Sequence, residues 1–309
     1  MAAVDDLPWL DELSLAGSRE GGKALGLIGS IELLSFRHAA LPPFRPTALF
    51  VLSALSVLSA SHLSAQTPSP SPISDNSFLV EEAYNQESRV VQHISTFSRG
   101  SDGGWIYTFT QEWPVRGMRN QLSYTIPALH NNGTGIGDIQ LNYRLQAVGN
   151  PDAPVALAPR LTAILPTGSS SESRGFGSAG LQAALPASIH PVPALVFHLN
   201  AGVTWLPNAK NPSGREASTT SYNLGASAIW LAKSRINFLM EWVWLDAELV
   251  NANGGTRRER AMLLNPGVRV GFDFKSGLQI VPGVAYTVGI GPSEGVEALF
   301  LYLSFEHAF

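Results

Sequence analysis

Residues 137–148 sort their side chains with period two. Ile139, Leu141, Tyr143, Leu145 and Ala147 fall on one face, and Asp138, Gln140, Asn142, Arg144 and Gln146 on the other. A helix of 3.6 residues per turn would scatter both sets, so the stretch is a strand with one apolar and one polar face. It is long for a soluble protein, where strands commonly run to about five or six residues. A tilted strand of roughly 9–11 residues is what crosses a bilayer in a closed barrel. The stretch therefore points to a transmembrane β-barrel.

The rest of the chain repeats the pattern. Strand-like segments are expected at about 88–97, 105–113, 120–126, 137–148, 155–165, 179–187, 195–206, 219–231, 236–245, 261–272, 278–288 and 297–309. Twelve antiparallel strands leave both termini on one side, as bacterial outer-membrane barrels require. The connections alternate in length, with long ones at 98–104, 127–136, 166–178, 207–218, 246–260 and 289–296. Short periplasmic turns and longer external loops are the habit of such barrels, and a soluble sandwich has no reason to follow it. Within 195–205, Leu195, Phe197, Leu199, Ala201, Val203 and Trp205 oppose His198, Asn200, Gly202 and Thr204. Within 262–272 the alternation is weakened by Pro266, which falls on the apolar side and removes a ladder bond.

An apolar run within 48–60 follows Arg37 and Arg45 and precedes Leu63-Ser64-Ala65-Gln66. It is too short and serine-rich to span a membrane as a helix. A basic flank, a short apolar core and small residues at the exit describe a secretory signal peptide, cleaved after Ala65. Residues 1–36 are acidic at their start and long for such a leader, so translation is expected to begin downstream of them. N-terminal sequencing of the exported protein checks this, and a mature chain starting before Leu41 would contradict it. The expected organisation is thus 1–65 signal peptide with an atypical extension, 66–87 Pro/Ser spacer and periplasmic segment, and 88–309 barrel. The part at 78–86 is expected as a helical turn at the periplasmic mouth. The chain of 309 residues has no cysteine and a net charge of −4. Its one basic cluster, Arg257-Arg258-Glu259-Arg260, reads as a solvated loop end, so nucleic acid is not an expected partner.

Aromatic residues occupy strand ends. Trp105 and Trp113 lie eight residues apart on one face, as do Tyr222 and Trp230. At roughly 3.3 Å per residue and a tilt near 40°, that separation spans about 20 Å of the membrane normal. With Trp205, these residues are expected to form the two aromatic girdles against outer-membrane lipid. The chain closes on Leu299-Phe300-Leu301-Tyr302-Leu303-Ser304-Phe305-Glu306-His307-Ala308-Phe309. Phe305 and the terminal Phe309, after alternating apolar residues, resemble the signal read by the barrel-insertion machinery of the bacterial outer membrane.

Three stretches resemble the outer-membrane barrel family named for its association with the meta-cleavage pathway of phenol degradation. They are Gln121-Leu-Ser-Tyr-Thr-Ile-Pro127, Gly135-Ile-Gly-Asp138 running into Leu141-Asn-Tyr-Arg144, and Arg160-Leu-Thr-Ala-Ile-Leu-Pro-Thr-Gly168. The resemblance covers about residues 80–309. It implies a barrel in the outer membrane and passage of hydrophobic or aromatic compounds, and it carries over no catalytic residue.

The polar faces should line the lumen with Asp138, Arg144, Arg160, His198, Glu241 and Arg269, and with Asp273 and Glu306 nearer the periplasm. Charges of both signs either select solutes, as charged rings do in channels, or pair with one another to fill the barrel. The expected function is passive passage of small solutes, without cofactor, metal or catalysis. A different class is a phospholipase-like hydrolase using His93 and Ser95, which share a strand face where a base and a nucleophile meet. Thr96-Phe97 departs from the Asn-Gly that follows in that enzyme family, and no Asn partner is evident. A third class is a structural or adhesive barrel with a plugged lumen. Gly175, Gly177 and Gly180 match a dinucleotide fingerprint, but a serine-rich loop precedes them and a strand follows, so they read as loop glycines.

Overall fold

The computed structural model describes residues 76–130, 133–275 and 278–308. The expected signal peptide, residues 66–75 of the spacer and Phe309 lie outside the described residues.

Alternation produces strands throughout. The elements are β1 (Val90–Gly100), β2 (Trp105–Pro114), β3 (Asn120–His130), β4 (Thr134–Ile136), β5 (Gln140–Leu145), β6 (Val155–Leu157), β7 (Arg160–Ile164) and β8 (Gly180–Val192). They continue with β9 (Leu195–Lys210), β10 (Glu216–Lys233), β11 (Ile236–Val250), β12 (Thr256–Val270), β13 (Phe272–Asp273), β14 (Gln279–Gly289) and β15 (Glu297–Ala308). All pairings are antiparallel, and the sheet closes where β1 meets β15 and β12 meets β14. Twelve strands form the wall; β4, β6 and β13 are short additions to it. Closure satisfies every wall strand on both edges, which is what hydrocarbon demands of a β structure.

The two faces are inverted relative to a soluble protein. Leu122, Leu141, Leu161, Leu181, Leu224 and Leu301 are exposed on the outside. Gln121, Asn142, Ser188, Asn237, Asn265 and Thr287 are buried inside. An apolar exterior around a polar interior makes this a bilayer-spanning barrel of the outer-membrane type.

Three expectations about strand length change. The stretch at 137–148 is strand only over β5, because both ends are taken by neighbours: Gly137 N–H donates to Pro127 and Gln146 N–H to Arg119. The segment at 155–165 breaks at Ala158 and Pro159 into β6 and β7, as a proline without an N–H interrupts a ladder. Conversely, most of the loops expected at 207–218 and 246–260 is strand, since β9 to β12 run on past the apolar belt. Ion pairs across the β11–β12 extension, Arg258 with Asp246 at 3.0 Å and Arg260 with Asp246 at 3.4 Å, accompany the added pairing. At Pro266 the pairing of β12 with β14 lapses between Leu264 and Gly267.

A lumen threaded by the chain's own N-terminal segment

The segment 76–87 does not form a helical turn at the periplasmic mouth. It runs inside the barrel as non-regular chain with bends at 78–80 and 83, and Val80, Ala83, Tyr84 and Asn85 are buried there. With no helix to satisfy its backbone, the segment uses the polar residues of the wall instead.

Glu241, on the inward face of β11, is fully buried. Its Oε1 accepts three consecutive backbone N–H groups, from Phe78 at 3.0 Å, Leu79 at 2.7 Å and Val80 at 3.0 Å. Asn265 donates to Oε2 at 2.7 Å and itself accepts from Thr287 at 2.8 Å, so the carboxylate is fixed from behind. Successive N–H groups curled around one oxygen form the kind of concavity that backbone builds for an acceptor atom. Next along the segment, Glu81 N–H donates to Asn200, Ala83 N–H to Ser188, Asn85 N–H to Gln146 and Gln86 N–H to Gln121.

Arg144 of β5 grips the same segment from its other end. It donates to Asn85 Oδ1 at 3.0 Å and to the Tyr84 carbonyl at 2.6 Å, and it lies 3.6 Å from Glu82 and 3.7 Å from Glu112. Arg160 pairs with Glu81 of the segment. His198 Nδ1 shares a hydrogen bond of 2.8 Å with Ser188 Oγ, and its ring meets Tyr84 edge-on. Arg269 is buried with its guanidinium over the Tyr302 ring. Five of the six candidate lumen residues thus sit around this segment or its anchor.

Asp138 is elsewhere. It lies between β4 and β5, where its carboxylate accepts from Gly168 N–H at 2.8 Å and Phe176 N–H at 2.7 Å, pinning the external loop at 165–179. Burial pushes this carboxyl up from its ordinary value, against the pull of those backbone donors. The loop glycines Gly175 and Gly177 belong to the pinned turn, and the strand β8 begins at Gly180.

Phe78 completes the anchor. Its ring lies 5.4 Å from Phe300 and 5.1 Å from Tyr302. It packs onto glycines: a Cβ at Gly267 would stand 2.5 Å from the ring and one at Gly283 2.6 Å. Beside the segment remains a cavity of about 140 Å³. Ile94, Phe78, Phe300 and Tyr302 give it an apolar side, and Glu82, Glu112, Arg144 and Arg160 a charged one.

His93 and Ser95 face outward. His93 stacks on Phe305 and contacts His307 at 3.3 Å, whereas the Ser95 hydroxyl pairs with Tyr107 at 3.1 Å. The structure gives the two residues different partners. Among the girdle candidates, Trp205, Tyr222 and Trp230 are exposed on the outer wall, Trp105 stacks on His130 and Trp113 meets Tyr124 edge-on. Phe305 lies in β15 near its periplasmic end. Asp273 pairs with Arg235, and Glu306 accepts from Gln92. Among the described residues no group of three or more His, Asp or Glu is placed to hold a metal ion.

The family model described as "Putative MetA-pathway of phenol degradation" matches residues 73–305. Among solved structures, an outer membrane channel from Pseudomonas putida F1 has a similar fold, with a TM-score of 0.56 at 12% identity, covering 74% of this chain and 98% of that one. The NanC porin is also similar, with a TM-score of 0.49 at 9% identity over 71% of this chain and 100% of its own. No curated protein sequence matches.

Proposed function

We propose that this chain, which belongs to the family described as the putative MetA-pathway of phenol degradation, is a passive outer-membrane channel for small apolar solutes, one-ring aromatic compounds above all. The observation that carries the reading is the cavity beside the threaded segment. At about 140 Å³ it is close in size to the cavity of about 150 Å³ known to hold one benzene in another protein. Three aromatic rings offer edge and face contacts to a solute ring, and the charged side opposite can pair a hydroxyl or carboxyl substituent.

In planar-bilayer recordings of the refolded chain, a water-soluble one-ring aromatic should block the current transiently, and a sugar of similar mass should not. Equal effects from both would end the aromatic reading. No catalysis is part of it: Ser95→Ala should leave solute passage unchanged, and lipid hydrolysis lost in that variant would contradict this. The occupied lumen also favours a second reading, a plugged structural barrel, which a complete absence of current from folded protein would select.

A further inference from the structure

We propose that the inner wall is a binding site for a non-regular peptide segment bent at its anchor, and that the segment 76–87 is its resident, releasable ligand. The inference deepens the channel reading, on which only its consequence for solute passage rests.

Two kinds of contact support it. Along the segment, wall side chains read backbone: Glu241, Asn200, Ser188, Gln146 and Gln121 each accept peptide N–H groups from it. These acceptors come from β11, β9, β8, the 146–154 connection and β3, and so form a path across the wall. The segment adds no strand to the sheet, because every wall edge is already paired around the ring. Its hold is therefore a set of separate side-chain bonds with no shared ladder, and can be undone at its anchors while the barrel remains closed.

The second kind of contact is the anchor itself. The three N–H groups of 78–80 converge on one carboxylate oxygen, and the preceding Ser77 hydroxyl bonds Ser227 at 2.6 Å. The Phe78 ring fills a socket floored by Gly267 and Gly283, where a larger residue would displace it. Specificity thus lies in the side chain of Phe78 and in Glu81, Glu82 and Asn85, which Arg160 and Arg144 meet, while the five acceptors named above read backbone. When the anchor lets go, the lumen widens from the cavity beside the segment to the whole interior.

The chain has no cysteine, so Ser77→Cys supplies a single thiol at the anchor. In the full folded chain that thiol should react slowly with a membrane-impermeant maleimide. Adding Glu241→Gln, which exchanges the carboxyl acceptor for a weaker amide one, should speed the reaction about tenfold or more. Gly283→Val, which fills the socket and leaves the hydrogen bonds in place, should do the same. Retained resistance to unfolding by heated detergent identifies the variants to compare. Separately, a fluorescent peptide of sequence 76–87 should bind the full-length Phe78→Ala chain, whose own anchor is weakened, and not the same chain when the peptide carries Phe78→Ala. Unchanged protection of the thiol in both folded variants would overturn the proposal, as would failure of the peptide to discriminate. Neither readout needs a current, so silence in a bilayer would count against the channel and leave this test standing.

Discussion

At the scale of single residues, the interior is built on buried charges whose partners come from a different part of the chain. Arg144 is the clearest case, with two carboxylates, an amide and a backbone carbonyl around it. Removing one member of such a set leaves the others buried without their partner, at a cost of about 3–5 kcal/mol. Arg144→Ala should therefore lower the temperature at which the barrel unfolds in detergent far more than Asp246→Ala. Asp246 is buried, but the two arginines it pairs with on the outer extension are exposed. Losing it strands no buried charge, and pairs open to solvent contribute about 0–1 kcal/mol. Equal losses in the two variants would mean that Arg144 makes no net contribution through its partners. The inward direction of Arg144, Arg160, His198, Glu241 and Arg269 follows from period two alone, so these residues were legible in the sequence. Their roles were not, because alternation says which way a side chain points and nothing about what stands opposite. Asp138 shares the polar face of its stretch, yet its backbone has left the strand to pin a loop.

Elements show the same division. Alternation located all twelve wall strands, including the β5 and β7 stretches that loops and a proline shorten. It did not foresee the long ladders of β9 to β12, since the polar residues beyond the apolar belt read as loop. The segment 76–87 left no periodic mark because it belongs to neither a helix nor a sheet; its order comes from wall residues distant in sequence. The external loop held by Asp138 makes a prediction at this scale. Asp138→Ala leaves the half-buried Gly168 and Phe176 N–H groups without their acceptor, a loss of about 1 kcal/mol for each hydrogen bond. Limited proteolysis should then cut within 165–179 faster than in the parent chain, with the barrel strands still protected. Cleavage at the parent rate would show that the loop is held by its other bonds.

For the whole molecule, the central relation is between a closed wall and the chain that runs inside it. A barrel of twelve strands encloses more space than its own inward side chains fill, and here the chain's own segment takes up much of that space. What remains is narrow, aromatic on one side and charged on the other. In the channel reading proposed above, such a lumen passes small solutes, and Arg160, beside the cavity and paired with Glu81, sets which ions accompany them. The most direct measurement is single-channel recording of the refolded chain in a planar bilayer. The account predicts small, discrete current steps whose preference for cations over anions rises when Arg160→Gln removes a positive charge from the cavity. Folded protein that carries no current, or steps whose ion preference ignores Arg160, would contradict it.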